Sequence, residues 1–399
     1  MLTRPDKGRY DVVIVGGAKL GSSIAWYLSQ LDDFDGSVLV VEQDPSYEWS
    51  ATARTNSCMR QQFSSALNVQ ISQYAAEHIK DFRAAFGGDE RVPDIAFDAY
   101  GYVYLAGDQG FAEQLRAAQL VQAKCGAATR LLSPGELQAA FPFYQLDDIV
   151  LGSHNPIDEG YYDGATVFEW WRRGAREAGV EYCHNRVVGL NRSGNRVASV
   201  VLQSGERVEC GWMVNAAGTN APSIANMAGL ELPIEPRKRY TYVFSAERPL
   251  DQPLPLTIDP SGVHVRSDGA NYLAGCGPWD DIAVAVDDFE EDHSLWQERV
   301  WPALAHRIPQ FDALKVIQSW VGHYDFNTLD QNAIVGPHPE VANFVFANGF
   351  SGHGFQQAPA VGRGLAEIIA LGEYRSLDLS PLGFTRIETN TPFLERAVI

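Results

Sequence analysis

The hydrophobic pattern opens with Tyr10 and the β-branched run Val12–Val15, which reads as a strand buried on both faces. A glycine turn follows, Gly16-Gly-Ala-Lys-Leu-Gly21, and Leu20, Ile24, Leu28 and Leu31 then fall at helical spacing. A second apolar run, 37–42, predicts another buried strand and ends in an acid, Glu42. Beyond it the pattern predicts a helix over about residues 66–86, a strand over 100–106 and a helix over 109–124. Ser133-Pro-Gly-Glu136 has the spacing of a capping box and opens a short helix. A helix over 164–178 leads into strands at 181–183 and 187–190, then a hairpin of 197–203 and 206–210 turning at Ser204-Gly205. Residues 212–218 read as a further buried strand, 238–277 as a strand-rich region and 289–306 as a helix. Strands near 333–335 and 344–347 and a helix over 359–371 close the chain.

The order of these elements sets the fold class. After two strands, buried strands of the same type return only near 187, 212 and 344. A nucleotide-binding domain is therefore interrupted twice by material rich in antiparallel strand. The expectation is an α/β plus β protein. A discontinuous Rossmann-like domain takes 1–90, 150–232 and 325–399, and a mixed or antiparallel sheet substrate domain takes 91–149 and 233–324.

Charge narrows the function. The 399 residues carry 31 Lys+Arg against 50 Asp+Glu, a net charge of −19, without a basic run, which argues against nucleic acid or an anionic membrane surface. No run of about 18 apolar residues predicts a membrane span. The five cysteines show neither C-x-x-C nor Cys/His metal spacing, so no metal site is expected. Scattered thiols and a polar start without an apolar leader fit a cytoplasmic protein.

Strand, glycine turn, helix, strand and acid arrive in the order of a dinucleotide-binding unit. Such a unit holds pyrophosphate at the helix N-terminus and ribose hydroxyls on the acid about 20 residues later. The expected nucleotide contacts are Gly16, Gly17, Ala18, Gly21, Glu42 and Gln43. Ala18 stands where the fingerprint has its second glycine, so its methyl either shifts the phosphate slightly or weakens binding.

With these residues in place, the chain resembles the FAD-dependent amine oxidoreductases of the D-amino-acid oxidase, sarcosine oxidase and glycine oxidase group, over essentially its full length. The resemblance rests on Gly16, Gly17, Gly21, Glu42, Val214-Asn-Ala-Ala-Gly218 and Gly349-Phe-Ser-Gly-His-Gly354. Arg60-Gln-Gln-Phe63, Asp330-Gln-Asn332 and Gly352 to Pro359 bring it close to the branch containing the mitochondrial FAD oxidoreductase of complex I assembly. The resemblance implies FAD as cofactor. Ser50, Ala51, Thr52, Ser57 and Cys58 would line the flavin and ribityl chain, and Val188 would meet the adenine side through its backbone. Ala217 and Gly218 would permit close approach, and Gly352, His353, Gly354, Phe355 and Gln356 would lie against the isoalloxazine.

The same resemblance names the chemistry. Arg60 follows the flavin-lining segment and would bind a substrate carboxylate with its planar fork, or else form an ion pair within the cofactor domain. His353 would contact the flavin. Gln356 stands where sarcosine oxidases tend to place a lysine, and Tyr324 lies near the reacting centre. Relatives with covalent flavin carry a cysteine near residue 323. Here none follows Cys276, so FAD is expected to be non-covalent, with His323 as the alternative anchor. The oxygen-activating lysine of sarcosine oxidase is missing from 271–275, which leans toward a dehydrogenase with an unidentified electron acceptor. The implied activity is oxidation of the C–N bond of a small amino acid or secondary amine, with hydride passing to flavin N5. A silent flavin-fold assembly protein and an NAD-dependent dehydrogenase are the alternatives.

Overall fold

The structure, a computed structural model, describes residues 1–396. Its first sheet is parallel at the centre. Glu181–His184, Val38–Glu42, Arg9–Val15, Arg207–Asn215 and Phe344–Asn348 lie side by side, and Ile334–Pro337 pairs antiparallel at the edge. Alternation along the first strand explains both faces. Val12 and Ile14 pack under Lys19–Gln30, Gly164–Glu177 and Gly354–Leu371, while Val13 and Val15 join Leu39, Val200, Met213 and Ile224 on the other side. From Arg9–Val15 the sheet extends one way to residue 38 and the other way to residue 207. That switch point opens a crevice at the C-terminal strand ends.

The second sheet runs Leu314–Asn327, Ile234–Ala246, Asn271–Cys276, His264–Asp268, Leu256–Ile258, Tyr102–Ala106, Leu151–Asn155, Arg130–Leu132. It is antiparallel except where Leu256–Ile258 meets Tyr102–Ala106. Leu151–Asn155 thus pairs into this sheet. A third, small sheet of Cys58–Met59, Gly160–Tyr162 and Phe97–Asp98 fixes the segment entering Arg60.

Several elements depart from the sequence pattern. The helix expected over 66–86 stops at Lys80, because Asp81 (φ −101, ψ 23) breaks it before Phe82–Ala85. The hairpin strand and the strand expected over 212–218 are one strand, Arg207–Asn215. Its first half pairs antiparallel with Arg196–Leu202, and the whole strand runs beside Arg9–Val15. The helix expected from 289 begins with a π-turn at Trp296. Leu314–Asn327 was not anticipated as a strand, since exposed Lys315–Gln318 blur its alternation. The last helix starts at Gly354, with Pro359 inside it. Among the described residues, no helix is long and apolar enough to cross a membrane.

Candidate cofactor cleft

The crevice is a cleft of about 350 Å³ between the two large sheets. Its floor begins at the glycine turn. Gly21 turns away from the cleft and packs on the turn itself: a Cβ there would sit 1.9 Å from the Gly16 carbonyl oxygen. Gly16 and Ala18 line the cleft, and the Gly17 amide donates to Glu42 Oε2 at 2.8 Å. Glu42 Oε1 accepts from the Asp44 amide at 2.8 Å, and burial raises the Glu42 pKa above the usual carboxylate value. Ala18 has φ −67, a conformation open to any residue, so only its methyl distinguishes it from glycine here.

Three helices begin at this cleft, Lys19–Gln30, Ala221–Met227 and Gly354–Leu371, and none has a side-chain cap at its N-terminus. Ala66–Lys80, Gln109–Lys124, Pro134–Ala140 and Gly164–Glu177 are all capped, by Ser65, Asp108, Ser133 and Asp163. The Lys19 amide donates to Thr52 Oγ1 at 3.2 Å, and the remaining first-turn N–H groups stand at the cleft for an electron-rich ligand. An uncapped glycine turn, an acid at the end of the second strand and a second uncapped helix opposite fit a dinucleotide.

The expected cofactor contacts Gln43, Ser50, Ala51, Thr52, Ser57, Cys58, Ala217 and Gly218 all line this cleft. The expectation for Val188 concerns its backbone; its side chain points outward, 47% exposed, and Asn185, Arg186 and Val187 line that wall. Gly352, His353, Gly354, Phe355 and Gln356 also line the cleft. At Gly352 (φ +90) a Cβ would sit 2.3 Å from the Tyr324 ring, so glycine there lets the turn lie against Tyr324.

Arg60, 2% exposed, reaches this wall from the small sheet. Its Nη2 donates to His353 Nε2 at 2.8 Å, and its Nη1 donates to the Gln62 carbonyl. Its backbone amide donates to Gln356 Oε1 at 2.7 Å, and the guanidinium lies 4.1 Å from the Phe63 ring centre. Because arginine only donates, His353 is held as the neutral acceptor. Burial and the adjacent guanidinium push its pKa well below the ordinary histidine value. Behind Arg60 lies Glu159, fully buried, accepting from the Gln61 amide (2.6 Å), Gln62 Nε2 (2.9 Å) and Asn155 Nδ2 (3.0 Å). Burial raises its pKa to about 8.

The roof comes from the second sheet. Asn56 Nδ2 donates to His264 Nε2 at 2.9 Å, and Thr241 donates to Asn56 Oδ1 at 3.2 Å. Arg239 lies over the Tyr324 ring at 4.6 Å, its fork on Asp281 at 2.8 and 3.0 Å. His323 stacks on Phe289 at 4.2 Å and meets the Asp288 carbonyl through Nε2 at 2.8 Å. Asp325, buried beside Tyr324, accepts from the Gly349 amide at 2.8 Å, and burial lifts its pKa to about 6.

Sequence reasoning missed Lys19 and Tyr162. Pro359 has no N–H to offer the carbonyl four residues back, that of Phe355. Tyr162 donates to that carbonyl at 2.8 Å, and Lys19 Nζ, on a side chain 1% exposed, donates to the Tyr162 hydroxyl at 2.8 Å. The signal was present in Pro359 and Gly164, because a Cβ at Gly164 would strike the Phe355 ring at 2.0 Å and Lys19 Nζ at 2.8 Å.

The fold and this cleft define a dinucleotide-binding protein of the interrupted Rossmann type. A family model described as FAD dependent oxidoreductase matches residues 11–368, and the chain belongs to that family and binds FAD. It is 38% identical to FAD-dependent oxidoreductase domain-containing protein 1 of Xenopus laevis, over 98% of this chain and 85% of that one. It is 24% identical to sarcosine oxidase subunit beta of Rhodobacter capsulatus, over 92% and 86% of the two chains. The L-proline dehydrogenase of P. horikoshii superposes with a TM-score of 0.83 at 26% identity, covering 96% of this chain and 98% of that one.

Proposed function

We propose that the protein oxidises the C–N bond of a small amino acid or secondary amine that carries a carboxylate. Bound FAD would supply the two-electron acceptor for that oxidation. The substrate becomes an imine, which water hydrolyses. Arg60 holds the carboxylate, and Gln356 fixes the Arg60 backbone. His353, neutral and committed to Arg60, orients the guanidinium rather than moving a proton. Tyr324 and the Asn56–His264–Thr241 cluster wall the site and exclude water. FAD is held without a covalent bond, and the electrons leave to an acceptor other than oxygen. Asn271–Cys276 carries no lysine to activate oxygen.

The observation that carries this reading is a buried guanidinium at the cleft wall beside a histidine that adds no second charge. The proline dehydrogenase and sarcosine oxidase likenesses support a secondary amine. The test is anaerobic mixing of the holoprotein with L-proline, sarcosine, glycine and the carboxylate-free dimethylamine. Bleaching of the flavin by carboxylated amines alone supports the proposal. Bleaching only by NADH or NADPH, or by none of the amines, contradicts it.

A further inference from the structure

Lys19 opens the first helix directly behind the glycine turn, yet its amine is inside the protein. Its Nζ donates to Tyr162 at 2.8 Å and lies 3.2 Å from the centre of the Phe355 ring, with Trp171 at 5.9 Å. Tyr162 spends its own proton on the Phe355 carbonyl, so it serves Lys19 only as an acceptor. No carboxylate among the described residues forms an ion pair with this amine. Asp163 is the acid that acts on it, from a distance, while its oxygens cap the next helix at Thr166. Two positive helix ends, those of Lys19–Gln30 and Gly354–Leu371, face the same region and oppose an ammonium there.

Each element packed around Lys19 can be checked for a group that might titrate in its place. Tyr162, from the strand Gly160–Tyr162, is held well above the ordinary tyrosine pKa by burial and stays neutral. His78, from the helix Ala66–Lys80, is pushed down to about 3 by burial and also stays neutral. Trp171 and Phe355 do not titrate. Lys19 itself is driven well below the ordinary lysine pKa by burial. The aromatic faces and Tyr162 can nonetheless hold an ammonium once a countercharge arrives.

We propose that Lys19 is a charge-compensating residue, a neutral amine in the flavin-free protein that takes up one proton when FAD binds. The pyrophosphate dianion received at a helix N-terminus supplies the missing negative charge. FAD binding is then linked to protonation, independently of which substrate is oxidised.

The test follows FAD release by fluorescence on dilution of the holoprotein, between about pH 7 and pH 9. One linked proton makes the dissociation constant rise about tenfold per pH unit. The wild type should show that rise over at least one pH unit. Lys19→Met removes the amine and Lys19→Arg keeps a fixed charge, so each should lose that part of the dependence. A wild-type dissociation constant that stays flat overturns the proposal, even if neither variant folds. An undiminished slope in either folded variant also overturns it.

Discussion

The hydroxyl of Tyr162 donates to the carbonyl of Phe355 across 2.8 Å, closing the gap that Pro359 leaves in the last helix. The pair ties the small sheet to the first turn of the helix that lines the cleft. Tyr162→Phe leaves a buried carbonyl and a buried amine each without this partner, and should cost about 1–3 kcal/mol. Pro359→Ala restores a helical N–H for Phe355. In that background the Tyr162→Phe cost should fall by roughly 0.5–1.5 kcal/mol. Urea unfolding of the four proteins in the double-mutant cycle checks this. Strictly additive costs would show that the two residues do not share the carbonyl.

Glu159 gives stability an unusual pH dependence. Its folded pKa is raised to about 8, so the folded protein keeps a proton that the unfolded chain releases. The stability it contributes is complete below its unfolded pKa of about 4.3 and is lost as pH rises toward 8, at about 1.4 kcal/mol per pH unit. Glu159→Gln imitates the protonated acid and removes that slope. Denaturation of both proteins from about pH 5 to pH 8 should show wild type losing ground steadily against the variant. Parallel curves would mean that Glu159 is ionised throughout.

Ala18→Gly should tighten FAD. The backbone at Ala18 already has an ordinary φ, so only the methyl restricts approach to the turn. Glycine is also the better N-cap of the two. The expected gain is about 1 kcal/mol or less, up to about fivefold, read by flavin fluorescence quenching. An unchanged or weaker affinity would show that the turn has adapted to the methyl.

The parts of this site legible in the sequence were those fixed by local rules. Gly16 to Glu42 announces strand, turn, helix and acid within one stretch, and the Ser133 capping box is present as read. The hidden parts depend on residues far apart in the chain. Lys19 in a first helical turn reads as solvent-exposed, and only Gly164 and Phe355 make room for it inside. Pro359 read as a helix start because proline favours the first turn. The Tyr162 hydroxyl, supplied from another sheet, lets it sit inside the helix instead. At the adenine-side wall strand alternation presents the Val187 side chain and turns that of Val188 outward. Leu314–Asn327 escaped notice because its outer half is exposed and does not alternate, with Val316 and Ile317 both at the surface, although its inner half delivers His323, Tyr324 and Asp325 to the cleft.

The central claim is that Arg60 holds the carboxylate of the amine being oxidised, and rapid-mixing flavin reduction tests it most directly. Loss of a charge-assisted hydrogen bond to a desolvated carboxylate costs roughly 2–3 kcal/mol, or about 30- to 150-fold in affinity. Arg60→Ala should therefore raise the apparent dissociation constant of the amine by about that factor while FAD stays bound. Arg60→Lys should recover only part of it, because the planar fork is lost. An apparent dissociation constant within about threefold of wild type, together with a collapse of FAD affinity, would contradict the account. Arg60 would then serve the cofactor. Of the cations on the roof, Arg239 lines the cleft with its fork on Asp281, while Lys238 and Arg266 are engaged by Asp288 and by the Asn56 carbonyl.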